Sequence, residues 1–224
     1  MIGDIKRCLV VVAHPDDEVL GCGGLIKKLT SNKTRVLVLF INDGYKERFE
    51  EHNVIDIEDE KYKQIEGSSE QLGFDYIALD YEASRFDNYN QRLINDEVDS
   101  VIKQFNPDTI MTHSEGDLHQ DHLVVNKSVM ICSRSKENSN IKRIITFPTQ
   151  SSSEINPTFN FKPNLIIDIE DYMDFKIKAM DSYTFEHEDI SRSNVSLLKW
   201  VNYWGLLSPS KRQSEPYEIK RIYN

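Results

Sequence analysis

Two short polar stretches hold most of the residues in this chain that could do chemistry. They are Ala13-His14-Pro15-Asp16-Asp17-Glu18 and Thr112-His113-Ser114-Glu115-Gly116-Asp117-Leu118-His119-Gln120-Asp121-His122. The chain has six histidines, and His14, His113, His119 and His122 all fall in these stretches. Zinc takes imidazole nitrogen and carboxylate oxygen, and a catalytic site offers three protein ligands and one open position. His14 and Asp17 with His122 make such a set. Asp16 is then left beside the metal, where a carboxylate can take a proton from a water that the metal activates. His119 lies three residues before His122 and shares its face on an incipient helical turn. From there it can reach the carbonyl oxygen or the leaving nitrogen of a substrate. Asp121 is placed to hold an imidazole by a hydrogen bond. The same donors accept Fe2+, Co2+ or Mn2+ as well as Zn2+.

The elements around these stretches predict where they sit. Residues 7–13 are a nearly continuous valine-rich run, as in a parallel strand buried on both faces. A helix with a small-residue face follows through VLGCGGLIKKLT. Residues 35–41 form a second strand, with a turn at Asn42-Asp43-Gly44. Residues 45–60 read as an irregular charged surface segment, and 60–72 as a helix that Gly73 caps. A strand at 75–79 comes next. An amphipathic helix at 90–105 then has Leu93, Ile94, Val98, Val101, Ile102 and Phe105 on one stripe, and Pro107 stops it. A strand at 109–112, a helix at 121–134, strands near 142–147 and 165–169 and a helix at 171–182 complete the alternation. Residues 151–164 read as a long loop, 186–207 as partly helical and 216–222 as a last strand. Alternating strands and helices imply a Rossmann-like α/β fold: a mostly parallel sheet flanked by helices in three αβα layers, as one domain over 1–224. In such sheets ligands bind beyond the carboxyl ends of the strands. Both polar stretches fall at such ends.

Plainer readings compete with each of these. HPDDE would suit a helix N-terminus, where proline and carboxylates are favoured, but that leaves His14 and the second stretch unexplained. Gly21, Gly23 and Gly24 lack the full dinucleotide fingerprint and fit close helix-to-strand packing. Glu18 reads as structural, bonding loop amides or orienting a ligand. His113 reads as a satisfied strand-end histidine or a group behind the ligands, and His52 and His187 as solvated. Trp200, Tyr203 and Trp204 read first as core packing or a subunit contact, with stacking on a sugar ring as the sharper alternative. Arg48 and Arg85 are loop arginines that read first as solvated, with contact to a substrate phosphate or carboxylate as the sharper alternative.

The run AHPDDEVLGCGG, followed about a hundred residues later by the His119–His122 motif HQDH, resembles the LmbE/PIG-L family of zinc-dependent de-N-acetylases. The resemblance is strong at 8–26 and 109–125, and looser at 35–44, 61–73 and 214–221. It implies metal ligands at His14, Asp17 and His122 and a general base at Asp16. It also implies that His119 polarises the tetrahedral intermediate and that Asp121 modulates it. The implied substrate is a small amino-sugar conjugate carrying an N-acetylglucosamine unit. Homo-oligomers are common by the same resemblance. An Arg-x-x-Glu pair frequent in the family is replaced by Lys61 and Gln64, which bears on substrate contacts. Asp87 is the best match to an Asp-bearing segment after the third strand. The alternatives are an amidase of another N-acyl small molecule and a non-catalytic sugar- or nucleotide-binding domain. Retention of Asp16 and His119 argues against the latter.

Composition limits the rest. The chain has 224 residues, 39% apolar and 29% charged, with a formal net charge of −10. That suits a soluble globular domain and argues against nucleic acid as a partner. The short apolar run at the N-terminus is too short for a membrane span and resembles no secretory leader. Three cysteines at these spacings suggest neither a zinc knuckle nor a disulfide framework. Reduced thiols and the missing leader predict a cytoplasmic protein, or one delivered without its leader.

Overall fold

A computed structural model of the chain describes residues 2–42, 54–134, 140–150, 152–153, 161–184 and 190–223, with backbone only over 54–61. In chain order the elements are β1 (Arg7–Val12), α1 (Asp17–Ser31), β2 (Arg35–Phe40), α2 (Val54–Leu72), β3 (Asp75–Ala78), α3 (Gln91–Phe105), β4 (Thr109–His113), α4 (Gln120–Cys132), β5 (Arg143–Phe147), β6 (Leu165–Asp168), α5 (Met173–Asp181), α6 (Asn194–Leu207) and β7 (Ser214–Ile222). The strands form one sheet in the order β3-β2-β1-β4-β5-β7-β6. β1 to β5 pair in parallel, and β7 runs antiparallel to both of its neighbours. Strands from both ends of the chain therefore share a sheet, and the mostly parallel expectation holds.

The continuous apolar run of β1 follows from its central place. Cys8, Val10 and Val12 point into the core beneath α1, α2, α5 and α6. Leu9, Val11 and Ala13 point into the core beneath α3 and α4. Side chains alternate along a strand, so a strand covered on both faces is apolar at every position. The helix α3 buries Ile94, Val98, Val101, Ile102 and Phe105, whereas Leu93 is 52% exposed. Leu93 is one residue, about 100° of helical turn, from Ile94 and falls off the predicted stripe. A second correction concerns 45–60, read above as irregular. Helix α2 begins at Val54, because a helix anchored by a packed C-terminal half tolerates a highly charged first half. Residues 43–53 lie outside the described residues.

Helix α1 is broken at Cys22 (φ −151°, ψ 20°). The break coincides with side-chain partners for nearby backbone groups. Glu215 of β7 accepts from the amides of Gly24 and Leu25, both at 2.9 Å. Lys176 of α5 donates to the Leu20 carbonyl (3.2 Å) and to Glu215 (2.6 Å), and Tyr217 donates its hydroxyl to Glu215. Gly21 and Gly24 let α1 lie close to the sheet. A Cβ at Gly21 would fall 2.1 Å from the Phe147 ring, and one at Gly24 would fall 2.6 Å from Ile169. The glycine cluster serves packing, as its spacing implied. The strand order reverses between β1 and β4, which opens a crevice at their carboxyl ends.

Candidate metal and catalytic site

The two polar stretches meet in that crevice. His14 follows β1, and His113 ends β4. The fully buried Asp16 precedes α1 in the left-handed region at φ 103° and makes no side-chain capping bond. Such backbone is costly for a residue with a Cβ, and it tends to persist where a site demands it. Glu18 holds it in place. One carboxylate oxygen accepts from the Asp16 amide (3.1 Å), and the other from Ser68 (2.6 Å) and the Tyr183 hydroxyl (2.7 Å). Burial raises Glu18 to about 7, against those hydrogen bonds.

Asp17 is the hub. Its Oδ2 lies 3.5 Å from His14 Nδ1, 3.3 Å from His122 Nε2 and 3.5 Å from His113 Nε2, and accepts from the His14 amide at 2.8 Å. Burial alone would raise its pKa, but the charge of His122 and the hydrogen bonds from His122 and His14 hold it well below the usual carboxylate range. His14 places its other nitrogen, Nε2, 2.8 Å from Asp121 Oδ2. His122 places Nδ1 3.0 Å from Asp117 Oδ2. Each imidazole thus has a carboxylate on one nitrogen and presents the other to Asp17. This is the arrangement that fixes a metal-binding tautomer.

Among the described residues, two groups bring three possible ligand atoms within 4.8 Å of one another: His14, His119 and His122, and Asp17, His113 and His122. Hydrogen bonding distinguishes their members. His113 Nε2 accepts from the Ala13 amide (3.0 Å), and Nδ1 bonds Thr149 Oγ1 (2.8 Å), so both ring nitrogens are engaged. Burial depresses its pKa to about 3. It is the satisfied strand-end histidine of the plainer reading. His119 caps α4, its Nδ1 accepting from the Asp121 amide at 3.2 Å. The neutral ring therefore carries its proton on Nε2 and is a donor. Burial, with His122 and His14 next, lowers it to about 4. Its ring stacks on His122 at 4.6 Å, the shared face expected from their spacing. Neither group is the His14, Asp17 and His122 set, but His14 and His122 each turn one ring nitrogen toward Asp17 Oδ2, and those donors fit a divalent ion once both rings are neutral.

Asp121 holds an imidazole, but the imidazole is His14. Its carboxylate also accepts from the Ser84 and Phe86 amides at 2.6 and 3.1 Å. It meets His119 through its backbone only, because at the start of α4 the side chain points across to β1 and the 82–88 loop. Asp87 lies exposed on that loop in a 3-10 turn, and the exposed Arg85 pairs with Glu82 at 3.2 Å. Neither is drawn into the ligand cluster, although their loop rims it through Phe86, 5.9 Å from the His14 ring. Arg48, His52 and His187 lie outside the described residues.

Four partners escaped the sequence reading. Asp117 sits within the second stretch, and the clue was a third acidic residue beside the histidines. It also accepts from Ser152 and Ser153, and it is held down to about 2, burial opposing and His122 prevailing. Ser152 and Ser153 belong to the predicted long loop, whose residues 154–160 lie outside the described set. Arg192 reaches Asp16 Oδ2 at 2.8 Å from a turn 176 residues away, with no local signal to mark it. Of the aromatic patch, Trp204 is buried and Tyr203 is 53% exposed, their rings 5.2 Å apart.

The family model described as GlcNAc-PI de-N-acetylase matches residues 9–133. The chain is 22% identical, over 88% of its length and 94% of the relative's, to a probable N-acetyl-alpha-D-glucosaminyl L-malate deacetylase 2 of Bacillus cereus. It is 26% identical to a diacetylchitobiose deacetylase of Thermococcus kodakarensis, covering 92% of this chain and 80% of that one. Its fold is similar to that of a 4-carboxy-2-hydroxymuconate hydratase from Pseudomonas putida, with a TM-score of 0.74 at 18% identity over 98% of both chains. The family match spans more than half of the chain and includes both polar stretches, so this chain belongs to the PIG-L family.

Proposed function

We propose that this protein hydrolyses the N-acetyl group of an N-acetylglucosamine-type sugar conjugate, with a divalent metal, Zn2+ by preference, on His14, Asp17 and His122. The observation that carries the reading is the convergence of His14 Nδ1 and His122 Nε2 on one oxygen of Asp17, each ring backed by a carboxylate, with Asp16 next in sequence. The hydratase neighbour makes that site the necessary argument, since a shared fold does not fix a reaction. The names of both curated relatives support the sugar-linked amide.

A divalent metal here supplies Lewis acidity, which lowers the pKa of water and polarises an acyl oxygen. The remaining work falls to the chain. Asp16 accepts the proton of the attacking water. His119, with its proton on Nε2, donates a hydrogen bond to the oxygen that gains charge. Asp16 then delivers its proton to the departing amine, which leaves poorly as an anion. Asp121 and Asp117 keep His14 and His122 in the ligating tautomer. We assign the whole chain to one domain. We place it in the cytoplasm on its reduced Cys8, Cys22 and Cys132.

Amine release from a panel of N-acetylglucosamine conjugates tests this, measured as purified, after chelation and after zinc is restored. Release that chelation abolishes and zinc rescues is expected. Absence of release from every conjugate with metal bound would move the reading to another N-acyl compound.

A further inference from the structure

Arg192 connects Asp16 to a second place in the molecule. Its Nη1 is 2.8 Å from Asp16 Oδ2, and the same residue lines an open surface cavity of about 180 Å³ with Met180, Asp181, Ser193 and Asn194. That volume is too small for a whole substrate, since ligand sites run from roughly 300 Å³ upward. The lining is four polar side chains around one methionine, a mixture suited to a ring with hydroxyls at its edge and C–H bonds on its face. Asp181 and Asn194 are already paired across it at 2.7 Å, which orders an acceptor and an amide for hydroxyl groups.

Resting on the deacetylase reading, we propose that this cavity is a subsite for the hydroxyl-bearing group attached to the reacting N-acetylated sugar. We further propose that Arg192 is a positioning residue shared between that subsite and Asp16. Asp16 has a left-handed backbone and no capping bond, so its side-chain direction is set by what it binds. Arg192 binds it from the turn Ile190–Arg192 that leads into α6. A group seated against Arg192, Ser193 and Asn194 packs the guanidinium onto the carboxylate. Occupancy therefore acts on turnover as well as on affinity, as expected when remote binding energy is spent on orientation.

The test compares N-acetylglucosamine with N,N′-diacetylchitobiose on the full-length, zinc-supplemented protein, by calorimetric affinity and by kcat and KM for amine release. Wild type is expected to prefer the disaccharide by about ten-fold in kcat/KM. Asp181→Ala, at an exposed position, and Asn194→Ala are each expected to cut that preference at least five-fold. Arg192→Ala is expected to lower kcat more than it raises KM, and Arg192→Lys to recover part of the loss. Equal use of the two sugars by wild type, or an undiminished preference in both cavity variants, overturns the subsite while leaving the deacetylase reading intact. An Arg192→Ala effect on KM alone, or no recovery in Arg192→Lys, overturns the positioning role. Failure of wild type to bind or cleave either sugar overturns the subsite together with the reading it rests on.

Discussion

Asp121 and His14 are 107 residues apart in sequence, yet Asp121 Oδ2 lies 2.8 Å from His14 Nε2, while the Asp121 amide donates to His119 Nδ1. One residue thus sets the tautomer of two histidines in opposite senses. His14 is left with a lone pair on Nδ1, and His119 with a proton on Nε2. An Asp121→Asn variant keeps the backbone bond to His119 but weakens the hold on His14. It should lose roughly 10–100-fold in metal affinity or activity. Metal titration against a competing chelator measures it, and wild-type affinity would show that His14 needs no such support.

Asp16 and Asp17 are neighbours with different partners, and their roles should separate. Asp16→Ala is expected to retain metal and lose about 10²–10⁴ of turnover. His14→Ala is expected to lose the metal. Metal content per chain decides both cases. Loss of metal in Asp16→Ala would mean that the two aspartates exchange roles, and full metal in His14→Ala would sink the ligand set.

His122 lies between Asp17 and Asp117. Burial works to lower its pKa, but the two carboxylates win and raise it from 6.5 to about 10. A group raised on folding stabilises the metal-free protein below its unfolded pKa, and that stability is lost as pH rises toward 10. Ligation through Nε2 requires the neutral ring. Metal loading near neutral pH should therefore release about one proton, with affinity that rises with pH. Calorimetry in two buffers of different ionisation enthalpy reads the count. No net release would show that His122 is already neutral without metal.

Gly21 packs against Phe147 with no room for a methyl group. Gly21→Ala should destabilise the fold by about 1–3 kcal/mol, the usual range for overpacking. At this chain length that lowers Tm by about 2–4 °C per kcal/mol. An unchanged Tm in a thermal melt would show that α1 can slide away from the sheet.

The types and spacing of residues determined a good deal. A buried parallel strand announces itself by unbroken apolar residues, and β1 did. Periodicity marked α3, and two histidine-bearing stretches at strand ends marked the crevice. Those signals are local, since each concerns residues within one turn or one strand. The pairings that give the site its chemistry are not local. Arg192 on Asp16, Tyr183 and Ser68 on Glu18, and Asp121 on His14 each join parts of the chain 50 to 176 residues apart. They exist because the sheet order brings the carboxyl ends of β1 and β4 together and folds α2, α5 and the approach to α6 over α1. Hydrogen-bond direction among the four clustered histidines depends on those neighbours. Only the tertiary structure could decide it.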